Sequence, residues 1–201
     1  MEWFGIIGTI AFAMSGYLLG IKKNLDILGI AIVTLLTAVG GGVIRDVLVN
    51  RIPQIFVVND ALFITIGTLF VLWVLRIQKR NHPFILRMFI IADSLGLIAF
   101  SIAGAQLGLA YELNAFGVAM LGFITAVGGG IVRDMLVNDI PFILHEDFYG
   151  TVAILVAVAV WLLDRYLLLN WFSLQCVFVS GLLLRLIAHW RELKLPKLAD
   201  S

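Results

Sequence analysis

Arginine followed by aspartate, three residues after a run of three glycines, is the pattern in this chain best equipped for chemistry. It occurs twice, in "TAVGGGVIRDVLVNRIP" (Thr37–Pro53) and "TAVGGGIVRDMLVNDIP" (Thr125–Pro141). A glycine inside a helix costs roughly 1 kcal/mol relative to alanine, and a charge in hydrocarbon costs more. Two uses would justify the glycines. They can let the backbone leave its helical ladder, so that freed carbonyls favour a cation and a half-helix N-terminus favours a carboxylate. They can also simply let two helices approach closely. On the first use, Gly40, Gly41, Gly42, Gly128, Gly129 and Gly130, with the hydroxyls of Thr37 and Thr125, line a path for an ion or a small zwitterion. Ser15 and Ser101 are weaker candidates for the same path, because serine and threonine equally often bond back to their own helix.

Arg45/Asp46 and Arg133/Asp134 are neighbours in sequence, so their side chains are expected to diverge on a helix rather than pair. As structural charges the arginines would snorkel to the interface and meet loop acids or carbonyls. As functional ones the pairs would stand at the two mouths of a path, where the aspartates attract cations. Asp93, in "IIADSLG", lies more than a turn inside an apolar segment and is a functional candidate by its position, with Arg87 able to neutralise it. Arg185 and His189, one turn apart, fit snorkelling or a contact with anionic lipid.

Enzymatic chemistry finds no support. His82, His145 and His189 are scattered, no metal-ligand spacing is present, and no nucleophile motif occurs. The triplets are not a dinucleotide fingerprint, because no strand precedes them. No cofactor and no tight metal site are expected, and any potassium would be transient along a pore. A net charge of +1 without a basic, aromatic-interleaved patch excludes nucleic acid as a partner. The single cysteine, Cys176, allows no internal disulfide and reads as a small buried hydrophobe rather than a reactive thiol.

These residues must be positioned by membrane helices. Of 201 residues 62% are hydrophobic and 13% charged, with a mean hydropathy of +1.06, far from the balance of a soluble domain. Seven stretches approach the span of a bilayer core: Trp3–Ile21, Ile27–Val49, Val57–Leu75, Met88–Leu109, Ala115–Val137, Phe148–Leu169 and Trp171–His189. The start, "MEWFGIIGTIAFAMSG", lacks the basic region of a signal peptide and reads as a retained first helix.

The two motif copies are 88 residues apart, and the offset holds without a gap: "IAFAMSG" at Ile10 aligns with "IAFSIAG" at Ile98, and Gly29 with Gly117. The expected fold is an all-α integral membrane protein. Two three-helix repeats, about 3–77 and 88–169, precede a seventh helix at about 171–189, all within one membrane domain over 1–201. Three helices per repeat is an odd number, so the second repeat is inverted and the two glycine-bearing helices face each other antiparallel. Basic residues gather on one face, where Lys22, Lys23, Arg76, Lys79, Arg80, Arg87, Arg133, Arg191, Lys194 and Lys197 fall. The positive-inside rule makes that face cytoplasmic, with the N-terminus outside and the C-terminus inside.

With "TAVGGGVIRD" and "TAVGGGIVRD" in the second and fifth helices, the chain resembles the bacterial branch of the trimeric intracellular cation (TRIC) channel family, whose members are also catalogued as putative glycine transporters. The resemblance spans nearly the whole chain. It implies a multi-pass protein of a bacterial or archaeal inner (plasma) membrane, in contact with lipid and assembled as a homotrimer. It further implies an ion path inside each protomer, kinks at the glycine triplets and potassium as the main conducted ion. Animal members carry a lysine-glutamate-valine motif that is missing near Gly40–Asp46, so their regulation does not transfer. Three readings stay open: a monovalent cation channel, a secondary transporter of a small zwitterion such as glycine, and a structural membrane protein whose glycines only pack.

Overall fold

Apolar runs of about twenty residues, closed by asparagine, aspartate and proline signals, give seven α-helices among the described residues: α1 (Trp3–Lys22), α2 (Ile27–Leu48), α3 (Asp60–Val74), α4 (His82–Ala110), α5 (Ala115–Leu136), α6 (Tyr149–Arg165) and α7 (Trp171–Trp190). The computed structural model describes residues 3–144, 148–191 and 193. His145, Lys194 and Lys197 lie outside the described residues. Helices α1, α2, α4, α5 and α7 are long and apolar enough to cross a membrane. The third helix of each repeat is shorter, at 15 residues in α3 and 17 in α6. Each is preceded by a single 3₁₀ turn, Gln54–Phe56 and Phe142–Leu144.

Three boundaries depart from expectation by three residues or more: α3 begins at Asp60, not Val57, α6 ends at Arg165, not Leu169, and α4 begins at His82, not near Met88. The Asn81 side chain caps it by accepting from Phe84 N–H, and Pro83 sits in the first turn, where its missing donor costs nothing.

Helices α1, α2, α4 and α5 form the central bundle, with α1 against α4 and α2 against α5, while α3 packs on α1 and α6 on α4 and α5. Helix α7 packs mainly on α6 and α4 of the second repeat, and its Trp171 and Phe178 also meet Trp3 and Phe4 at the start of α1. The inverted symmetry extends to single bonds. Asp26 caps α2 through Gly29 N–H at 2.7 Å, and Asn114 caps α5 through Gly117 N–H at 2.8 Å. Asn50 and Asn138, one after each motif, both turn left-handed, with φ of 53° and 56°. At the centre, Phe12 and Phe100 meet edge to face with centroids 5.1 Å apart. These two phenylalanines are themselves repeat counterparts, so the pseudo-two-fold axis runs between them.

Candidate functional site

The helical ladder runs without interruption through both glycine triplets. The expected breaks are therefore absent, and the reason is geometric. Gly41 and Gly129 are used for contact: a Cβ on Gly41 would fall onto the Thr125 carbonyl oxygen, and one on Gly129 onto the Thr37 carbonyl. A Cβ on Gly40 would sit 3.5 Å from Gly129 Cα, and one on Gly128 only 3.1 Å from Gly41 Cα. The two helices are thus pressed backbone to backbone across the axis, as small-residue contacts allow. Thr37 and Thr125 donate their hydroxyls to Val33 and Leu121 carbonyls, each at 2.6 Å on its own helix. Gly40, Gly41 and all three glycines of the second triplet are buried, as are both threonines; Gly42 alone is partly open and lines a cavity.

The arginine–aspartate pairs correct a second expectation. Neighbouring side chains do pair: Arg45 donates from Nε and Nη2 to Asp46 Oδ1 at 3.0 and 2.8 Å, and Arg133 Nε donates to Asp134 Oδ1 at 2.8 Å. The geometry is possible because each aspartate is at the end of its helix and turns back toward the chain that follows. Its second oxygen receives a loop N–H, from Gln54 at 2.9 Å or Phe142 at 2.7 Å. Asp46 and Asp134 thereby brace the turn containing Pro53 or Pro141. With both oxygens engaged, each carboxylate is a structural anchor first.

Around these matching pairs the repeats diverge. Arg133 does not snorkel; it is fully buried. Its Nη1 donates to Asp93 Oδ1 and to Ser15 Oγ, and its guanidinium stacks 4.7 Å from the Phe89 ring centroid. Ser15 in turn donates to Asp93 Oδ1 at 3.2 Å. Arg133, not the exposed Arg87, is the partner of Asp93. Such a buried pair persists because its opposite charges offset each other, although Asp93 Oδ2 and Arg133 Nη2 have no hydrogen-bond partner among the described residues; in isolation either member would be very costly. Arg185, expected to reach the interface, is also buried, 5.0 Å from the Tyr149 ring centroid and 5.8 Å from that of Phe142. Ser101 leaves the path as well, donating to Ala153 O at 2.7 Å. Cys176, expected to be buried, is exposed on the outer face of α7.

Two cavities lie at opposite ends of the bundle. The first, about 400 Å³, opens beside Arg45 between α1, α2, α4 and the segment after α2. The second, about 660 Å³, is lined by Lys22, Phe89, Asp134, Asn138, Asp139 and His189, among others. Beside it a Lys23–Asp139 ion pair of 2.5 Å ties the α1–α2 turn to the segment after α5. Between the cavities stand the glycine contact and the buried Arg133 cluster. Sequence reasoning had no signal for Arg133 with Ser15 and Asp93, because their separations of 118 and 40 residues follow no local period.

A family model described as glycine transporter matches residues 2–77 and 90–165. A membrane protein of Deinococcus radiodurans is 36% identical over 192 residues, covering 94% of this chain and 86% of its own. The inner membrane protein YadS of Escherichia coli is 36% identical over 200 residues, covering 98% and 95%. Among solved structures, a prokaryotic TRIC channel crystallised in 0.5 M KCl superposes with a TM-score of 0.87 at 34% identity, over 96% of this chain and 98% of that one. The TRIC orthologue from Rhodobacter sphaeroides gives 0.86 at 27% identity, over 94% and 97%.

Proposed function

For this chain, which belongs to the glycine transporter family, the bacterial branch of the TRIC channels, we propose the function of a monovalent cation channel with its path inside each protomer. The observation that carries this reading is the pair of opposed cavities, one beside each arginine–aspartate motif, separated by the closed α2–α5 contact. The described conformation is then a shut one, and two elements close it: the abutting glycine triplets and the Arg133–Asp93–Ser15 cluster. A buried guanidinium on the path repels cations until it moves, while the freed Asp93 carboxylate would favour them. Thr37, Thr125 and the triplets become path-lining when the contact separates. Potassium is the ion proposed; the kinship with channels described as TRIC cation channels supports the coarser class, a cation.

The same reading takes 1–201 as one multi-pass domain of the inner membrane, N-terminus outside, with repeats at about 3–77 and 88–169 and the seventh helix at about 171–189. It takes the assembly as a homotrimer in lipid, in line with the solved trimeric relative.

A second reading, a secondary transporter of glycine or another small zwitterion, draws on the description of the matching family and on the two-cavity, closed-centre arrangement that alternating access also requires. One reconstitution separates them. In planar bilayers with symmetrical potassium chloride, purified protein is expected to give discrete single-channel currents. Absence of current together with saturable uptake of radiolabelled glycine by liposomes would replace the channel with the transporter.

A further inference from the structure

The two repeats share an arginine–aspartate pair but treat the space beside it in opposite ways. Beside Arg133 that space is filled by Ser15, Asp93, Phe142 and Tyr149. Shifting each position by the repeat offset gives Ala103, Gly5, Gln54 and Ala61, and all four line the 400 Å³ cavity beside Arg45. The cavity is the hollow image of the filled cluster: a carboxylate, a hydroxyl and two rings on one side are replaced by two alanines, a glycine and an amide on the other.

The charges follow the same division. Arg133 is matched by two carboxylates, Asp93 and Asp134. Arg45 has Asp46 alone, through Nε and Nη2, and its Nη1 makes no hydrogen bond among the described residues. Arg51 lines the same cavity, with its backbone N–H bonded to Asp46 O and its side chain unpaired among the described residues. Among the described residues two guanidinium groups therefore line the cavity with one carboxylate, whose two oxygens are both engaged. In the same wall, Gln106 Oε1 is buried without a partner among the described residues.

The geometry points to this cavity as a binding site for a small carboxylate, with the ligand's carboxylate standing against Arg45 where Asp93 stands against Arg133. A planar guanidinium edge and a second arginine suit a carboxylate in bidentate geometry. The volume accepts a solute of a few heavy atoms, and the unpartnered Gln106 Oε1 offers an acceptor to a donor elsewhere on the ligand. Acetate and glycine share the recognised group; glycine adds an ammonium that Gln106 Oε1 can accept. The inference stands apart from conduction, since binding is read on the ligand and not as current.

The test is ligand-observed NMR titration of the full-length protein in detergent, with acetate and glycine as probes and methylammonium as the control lacking a carboxylate. Saturable binding of acetate is expected, with glycine equal or tighter and methylammonium silent. Gly5→Asp, which supplies the carboxylate from the protein itself, is expected to weaken acetate at least about tenfold, as is Arg51→Gln. Arg45→Gln should do the same where it folds; Gly5→Asp keeps the test valid where it does not. Lys23→Gln, at the other end of the bundle, should leave binding unchanged. The assignment is overturned if folded wild-type protein shows no saturable acetate or glycine binding. It is equally overturned if Gly5→Asp binds acetate as well as wild type, or if chloride displaces acetate at equal concentration.

Discussion

Asp93 and Arg133 hold each other in a place where neither could stand alone. Replacing Asp93 by Asn leaves the buried guanidinium with Asp134 and Ser15 only. A loss of about 3–5 kcal/mol is expected, as for other half-deleted buried pairs. The double variant Asp93→Asn/Arg133→Met should recover part of that loss, and a double-mutant cycle of denaturant unfolding in detergent measures it; strict additivity of the two single effects would contradict the pairing. The glycines divide equally sharply. A Cβ on Gly41 or Gly129 meets backbone carbonyl, whereas one on Gly42 finds nothing nearer than Arg45 Nη2 at 3.8 Å. Gly41→Ala and Gly129→Ala should each cost about 1–3 kcal/mol through overpacking, while Gly42→Ala is neutral or stabilising by helix propensity. Thermal melts of the three variants check the order. The triplet was legible in sequence as a special place, but which of its members carries the contact depends on the phase of α2 against α5. That phase is tertiary information.

At the scale of elements, the caps of α2 and α5 show how much the repeat already prescribes. Asp26 and Asn114 occupy corresponding positions and accept corresponding N–H groups. Asn114→Ala and Asp26→Ala are each expected to cost about 1 kcal/mol, and unequal melting shifts would show that the halves are not equally loaded. The apolar segments, the 88-residue offset and the inversion were all readable, because hydrophobic length and odd helix count act locally and additively. The pairing of Arg45 with Asp46 and of Arg133 with Asp134 was not. On an ideal helix, adjacent residues point apart, and only the turn after each helix end lets the aspartate swing back to meet loop N–H and guanidinium together. Arg185 was misread for a related reason: its depth is set by α7 packing on α6, which no period of α7 itself records.

For the whole molecule, the outward faces of α2 and α7 carry large apolar side chains such as Ile27, Leu28, Leu183 and Trp190, as expected of surfaces that meet lipid or further copies of the chain. Light scattering of the detergent-solubilised protein, corrected for detergent, should give about three times the 22.2 kDa of one chain; a monomer mass would remove the trimer. In a Cys176→Ala background, a cysteine placed at Glu112 should react with an impermeant maleimide added outside intact cells, while one at Asn24 should not; the reverse would invert the membrane orientation. The mutual contact of Gly41 with Thr125 and of Gly129 with Thr37 also sets a schedule for making the protein. The first half leaves the ribosome with its small-residue face bare, and its partner follows 88 residues later. At about 5–20 residues per second, that is a wait of roughly 4–18 s. Throughout it, α2 must be kept from pairing with the α2 of a neighbouring nascent chain, so the timing of insertion is part of what selects the correct fold.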